Sequence, residues 1–395
     1  MLLHLICLIF KERGDLPAKR IDVYKEGINL LFEKWNQFNA RVNLDMPELR
    51  KALRRIAAIT FEKGKSYFEE DEILPLIENS PSTLSDIEFL SGLLIKTNWR
   101  IYFFSHQIFQ EYLTAEEFVD SQLIYSNLFK HVTDKRWREV FLLVSALMQS
   151  AEELLWIMEN KIDLLLNSEK KLQIFLYWVY HKSSNFISNK VKARLFYISL
   201  YVDFFIDAEM DKLSEFEIEN LEIESSSYIY LANELGLKLE LNLNCVINDA
   251  VTLFSVFNGT LEYELEYDEV DNTSLCLSQD IDTIMGLDID PKFKQSLQEL
   301  KELLPDWMDT WEIYYQEWWQ AEGQSWIEKM RAASIKYSNI GYDWQFSDKQ
   351  KKLLKQYYDA NNLLLDCLNN GCNVSPEVRA LIEDNLFLPL DSSLS

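Results

Sequence analysis

Catalysis needs nucleophiles, acids, bases or metal ligands at workable spacing, and this chain supplies few. Its four histidines, His4, His106, His131 and His181, fall neither in HExxH nor in a short cluster with other ligating residues. Zinc hydrolysis therefore has no anchor. The five cysteines, Cys7, Cys245, Cys276, Cys367 and Cys372, form no CxxC pair. Cys367 and Cys372 stand five apart, but the nearest histidine lies far upstream. Such cysteines read as free thiols buried in a reducing cytosol. No GxSxG elbow occurs, and carboxylate pairs are too plentiful to point anywhere. No catalytic residue and no metal ligand is assigned.

One string imitates a phosphate loop. Lys63-Gly64-Lys65-Ser66 carries the Gly-Lys-Ser ending, but the full motif needs a glycine five residues before Gly64, where Ile59 stands. It also needs a strand before the loop and a helix after it. Here a helical run precedes and an extended piece follows, so no anion-cradling nest can form ahead of a helix. The string is a helix C-cap. No complete Walker A motif occurs in the 395 residues.

His106 is the histidine with a setting worth arguing. It lies in Phe103-Phe-Ser-His-Gln-Ile-Phe-Gln-Glu-Tyr-Leu-Thr-Ala115. Ser105 is placed to cap the following helix, which puts His106 in the first turn. Ile108, Phe109, Tyr112, Leu113 and Ala115 form the buried stripe, with His106 at its edge. The positive end of the helix dipole opposes protonation of an imidazole there. A neutral imidazole donates one hydrogen bond, and a helix start favours an anion. By spacing alone, an edge histidine of this kind is a satisfied structural residue more often than a ligand contact.

The elements that must position these residues are helical. Hydrophobic residues make up 48% of the chain and charged ones 26%, enough for a sizeable core. Only 10 glycines and 8 prolines occur, which disfavours turn-rich sandwiches and barrels and favours long helices. Residues 2–12 read as a helix stopped by Gly14, and 20–36 as a second with apolar residues three and four apart. The apolar run Met1–Phe10 has no basic residues before it and no cleavage site after it, and it is half the length a bilayer requires. A buried helix is expected there.

A helix after Pro47 ends at Gly64, and Ser66-Tyr67-Phe68 is extended. A helix through Ile73, Leu76 and Ile77 and a third over about Leu84–Ser91 precede a hairpin within Gly92–Phe104. Helix, strand, helix, helix, hairpin is the order of a winged helix. Residues 120–200 are again helical, with Trp137, Val140, Phe141 and Val144 on one face and Leu172, Phe175, Leu176 and Val179 on another. Long helices return over 292–338 and 347–385, broken at Pro305 and Pro376.

The net charge of −25 is concentrated. Residues 201–290 hold 22 acidic and 2 basic side chains, a net of −20. Such a block repels phosphate backbones and anionic lipid. It reads as a solvated face made mostly of short helices, with a docking surface for a basic partner as the sharper alternative.

At the His106 segment the chain resembles a family. FSHQIFQEYLTA is similar to the winged-helix signature F-x-H-x-x-F-Q-E-Y-x-x-A of NACHT-type STAND NTPases, shared with NOD-like receptors. LLHLICLIF, followed by Tyr24-Lys-Glu-Gly-Ile-Asn-Leu-Leu, looks like the helical segment just after the nucleotide-binding core. Met1 stands near where the family usually has a proline. DKRWREVFLL (134–143) and LLLDCLNNGCNVSPEVRALIEDNLFLPL (363–390) resemble the C-terminal helical region of cyanobacterial-type NACHT proteins.

The resemblance implies a mainly α fold: a small winged-helix domain of three to four helices plus a β-hairpin, then an extended helical array. The expected domains are 1–44 (the segment that follows a NACHT core), 45–120 (winged helix), 121–200 (helical), 201–290 (acidic) and 291–395 (C-terminal helical). In that family the winged-helix histidine contacts the β-phosphate of bound ADP and holds the closed, inactive state. His106 alone carries over, because the Walker A and Walker B segments would precede residue 1. The implied function is the regulatory and sensor half of a NACHT-type switch. It would be cytoplasmic, act through a protein partner or a nucleotide-binding core supplied elsewhere, and hold no cofactor by itself, with ADP or ATP bound in the full family context. Two rivals come from other classes. One is a winged-helix DNA-binding regulator, opposed by Asp86 and Glu88 on the candidate recognition helix but offered Lys96 and Arg100 on the wing. The other is an enzyme with a metal-dependent site among the acidic residues.

Overall fold

The computed structural model describes residues 2–17, 19–38, 46–77, 93–97, 99–121, 127–202, 229–260, 267–305 and 312–389. Helices dominate because apolar residues recur at three- and four-residue intervals along most of them. Helix α1 (Leu2–Arg13) ends at Gly14, whose φ of +79° lets its N–H return to Phe10 O at 2.9 Å. It packs on α2 (Arg20–Phe38). Helix α3 (Met46–Glu62) buries Leu49, Leu53, Ile56 and Ala57 and ends at Gly64, φ +68°. Lys65 N–H then bonds back to Thr60 O at 2.9 Å, so the Gly-Lys-Ser string is a helix C-cap.

A short strand β1 (Phe68–Glu69) leads into one turn of helix, α4 (Glu70–Ile73), and a 3-10 turn (Leu74–Leu76). The extended piece thus begins two residues later than expected. The expected helix through Ile73, Leu76 and Ile77 is cut short where Pro75 lacks an N–H to donate. The expected helix over 84–91 lies outside the described residues. Strands β2 (Leu94–Lys96) and β3 (Ile101–Phe104) form the expected antiparallel hairpin, and β1 adds to β3 to give the order β1-β3-β2. Phe68 faces Tyr102, and Leu94 faces Phe104. Helix α5 (Gln107–Asp120) packs on α3 and on α6 (Arg138–Leu147), which is followed by α7 (Glu152–Leu164).

The chain divides into two compact units, Met1–Ser168 with Asp359–Leu386, and Glu169–Tyr358 with Phe387–Ser395. The first centres on Trp137, Val140, Phe141 and Val144, all inaccessible to solvent as their shared face requires. In the second, α8 (Lys170–Ser183) packs on α9 (Lys190–Val202). Residues 229–235 are helical, and α10 (Lys238–Phe257) packs on α11 (Tyr267–Met285). Then come α12 (Pro291–Leu303), α13 (Glu312–Ser338) and α14 (Asp348–Asn369), and α15 (Pro376–Asn385) closes the series in the first unit.

Two expectations are corrected here. Among its described residues the acidic block carries two long helices, α10 and α11, beside the short stretch 229–235, where only short helices were expected. In α11 Val270, Ser274, Leu277, Ile281 and Ile284 make a continuous buried stripe, and that stripe sustains 19 residues of helix. The five thiols are free, but only Cys367 is buried; Cys7 and Cys276 are exposed. No helix among the described residues is long and apolar enough to cross a membrane.

Candidate functional site

Strand β3 alternates, with Tyr102 and Phe104 buried and Ile101 and Phe103 half-buried. Phe104 meets Phe68 at 6.1 Å on the inner face, and Phe103 meets Tyr67 at 5.4 Å on the outer one. The chain then bends through Ser105 and His106 into α5. Ser105 is not the N-cap, contrary to expectation: the first carbonyl to accept within the helix is His106 O, from Phe109 N–H at 3.1 Å, while Ser105 still belongs to the hairpin ladder through its N–H to Leu93 O at 2.7 Å. His106 is the N-cap residue itself, in extended backbone (φ −150°, ψ 143°), and its side chain makes no capping bond. One residue of slip moves the imidazole from the first turn to the helix boundary. The ring is exposed and lies edge-on to Phe109 at 6.1 Å.

The rest of the motif holds this corner in place. Phe109, Tyr112, Leu113 and Ala115 are buried, as their spacing requires, while Ile108, expected in the same stripe, is half-buried. Gln110, also buried, donates to Thr60 Oγ1 at 2.9 Å and to Lys65 O at 3.3 Å, which ties α5 to the C-cap of α3. Gln107 donates to Glu111 Oε1 at 2.8 Å. At the other end, Glu116 accepts Arg50 Nε at 3.0 Å while Arg50 Nη1 reaches Asn29 at 2.7 Å. Arg54 pairs with Asp120. Both ends of α5 are therefore gripped, and His106 is presented on a fixed corner. An exposed imidazole at a helix start with no side-chain cap can accept an anion. It offers no nucleophile and no acid–base pair.

The wing has a different chemistry. Glu70 Oε1 accepts Arg100 Nη2 at 2.5 Å, and Glu70 Oε2 lies 2.9 Å from Lys96 Nζ and 3.3 Å from Tyr102 Oη. The Arg100 guanidinium, with Lys96, holds the Glu70 carboxyl down at about 2. The two wing cations are thus already engaged by a carboxylate of their own chain. Sequence reading missed Gln110 and Glu70. Gln110 lies in the quoted motif next to Glu111, but Glu70 is 30 residues from Arg100 and no local pattern links them. Among the described residues, no group of three or more His, Cys, Asp or Glu is arranged to hold a metal ion.

Residues 293–389 match the family model of the NACHT C-terminal Helical domain 2. The match runs from α12 to the residues just after α15 and covers a quarter of the chain. The likeness to the C-terminal helical part of a NACHT protein therefore stands on an independent comparison. Neither a curated protein nor a solved structure matches the chain.

Proposed function

We propose that this chain is the regulatory and sensor part of a NACHT-type signal-transduction switch, acting in the cytoplasm through protein–protein contact. The observation that carries the reading is the family match over 293–389. It is supported at the other end of the chain by the His106 corner, a hairpin running into a rigidly held helix with an exposed imidazole at its N-cap. In this reading the corner faces a nucleotide-binding core, in the same chain or in a partner, and His106 contacts a phosphate of its ADP. Residues 1–395 hold no nucleotide by themselves, since they contain no complete phosphate loop.

The DNA-binding rival loses ground on the wing. Non-specific affinity for DNA comes mostly from cations free to meet phosphates, and Lys96 and Arg100 are both spent on Glu70. The test is ATPase activity and equilibrium binding of labelled ADP and ATP with the purified chain. No turnover and no saturable binding are expected. Tight binding of either nucleotide by this chain alone would overturn the proposal.

A further inference from the structure

The second unit contains a cavity of about 180 Å³ with three aromatic residues of one loop in its wall. The loop between α13 and α14 reads Gly341-Tyr-Asp-Trp-Gln-Phe346. It turns at Gly341, φ +98°, a backbone conformation that favours glycine, with Ile247 Cδ1 of α10 2.6 Å from where a Cβ would stand. All of Gly341–Phe346 line the cavity, and Tyr342, Trp344 and Phe346 are the aromatic members of that wall. Trp344 and Phe346 are stacked at 6.1 Å with an interplanar angle of 5°. Behind them Phe175 lies 5.3 Å from Trp344 and 5.6 Å from Phe346.

The loop is fixed before any ligand arrives. Three side chains of α8 bond its backbone carbonyls or those just before it: Lys171 to Gln345 O at 2.7 Å, Trp178 to Asn339 O at 3.2 Å and Lys182 to Ser338 O at 2.9 Å. A wall held this way loses little freedom on binding.

The lining also has charged members. Arg331, from α13, lines the cavity together with Lys351 from α14. Asp343 Oδ2 stands 3.2 Å from Arg331 Nη1, yet neither Nη1 nor Nε has an aligned acceptor. The Asp343 side chain is 55% exposed, so this ion pair is screened and easily exchanged. Tyr201 Oη and Trp344 Nε1, from two lining residues, are neighbours without a hydrogen bond of normal geometry between them.

We infer that this cavity binds a small planar carboxylate, an aromatic or heteroaromatic monocarboxylic acid. Its ring would lie against the Trp344–Phe346 wall, and its carboxylate would take the place of Asp343 on Arg331. The size supports a single ring, since apolar cavities of about 150 Å³ accept benzene. The guanidinium selects a carboxylate because the two match in plane and charge. Asp343 is then an internal competitor, a carboxylate of the chain itself standing where the ligand's would stand. This goes beyond the regulatory reading and does not depend on it.

The test is calorimetric titration of the full chain with benzoate and pyridine-3-carboxylate, with benzamide as the neutral control. Saturable binding of one of the acids is expected, and none of the amide. Arg331→Gln should weaken binding at least about tenfold, the size of one charge-assisted hydrogen bond. Asp343→Asn, a change at an exposed side chain that leaves the fold in place, should strengthen it about two- to fivefold by removing the competitor. No saturable heat with either acid up to roughly 10 mM, a very weak limit, would overturn the inference. So would equal binding of benzamide, or an Asp343→Asn affinity no higher than that of the unmodified chain.

Discussion

In the 46–121 segment Glu70 sits between Arg100 and Lys96, and its carboxyl is held down at about 2. On helices α10 and α11 the half-buried Asp249 goes the other way, pushed up to about 7 by burial, with the charge of Asp280 adding to the effect. Cys245, one turn before Asp249, is pushed up to about 12 by the same burial, with Asp280 and Asp249 beside it. In the first region Glu70 and Glu116 are met by cations from neighbouring elements, although burial still raises Glu117 beside Arg54. The second holds 22 of the chain's acids against 2 bases over 201–290, and its packed face draws on the same acidic stock. A charge count therefore locates a block without saying which members are solvated. The sequence reading of a solvated face needs amending at Asp249 and Asp280, which face the α10–α11 contact.

The contrast would break most visibly at its aromatic anchor. Trp137 is inaccessible, stacks on His131 at 4.0 Å and meets Phe61 and Phe118 edge-on at 5.0 and 5.8 Å. Phe61 and Phe118 belong to α3 and α5, so one side chain clamps the helices that carry the His106 corner. Trp137→Ala should cost about 3–5 kcal/mol, a large share of a domain's stability. Urea denaturation followed by circular dichroism would report it. A loss under about 1 kcal/mol would mean that the charge pairs, not the packing, hold this region.

A smaller and opposite effect is expected in the acidic region. The folded-state pKa of Asp249, about 7, lies above the roughly 3.9 of an unfolded aspartate. The native state therefore binds the extra proton between about pH 4 and 7. Stability from this group is fully present below that window and lost as pH rises through it. Asp249→Asn should stabilise the protein by about 1–2 kcal/mol at pH 8, a figure discounted for partial exposure, and by much less at pH 4. Melting temperatures of both proteins across that range would show it. Parallel pH profiles would remove the distinction between the two regions.

Much of the fold was legible because helix periodicity and glycine stops are local. Trp137, Val140, Phe141 and Val144 share a face in the sequence and a core in the structure. Gly14 and Gly64 end helices with positive φ. The His106 cap was misjudged by one residue because Ser105 is the better capping type, while the hairpin ladder runs on through Ser105 and the helix starts from His106 O. The long α11 was obscured by Leu261-Glu-Tyr-Glu-Leu-Glu-Tyr267 where it starts, a period-two pattern that suits a strand, although the stripe from Val270 to Ile284 was there to be counted. The Arg331–Asp343 pair and the Tyr342–Trp344–Phe346 wall were not legible. A period of two outside a strand does not reveal what it faces.

The central claim concerns His106, and ADP retention tests it most directly. A NACHT nucleotide-binding core joined ahead of Met1 should hold labelled ADP, and its release rate can be followed with and without His106→Ala. The substitution should speed release at least about tenfold, the size of one hydrogen bond to a charged phosphate. In the chain without the core it should shift stability by less than about 1 kcal/mol, since the ring is exposed and makes no capping bond. Equal ADP release rates with histidine and with alanine at position 106 would contradict the account.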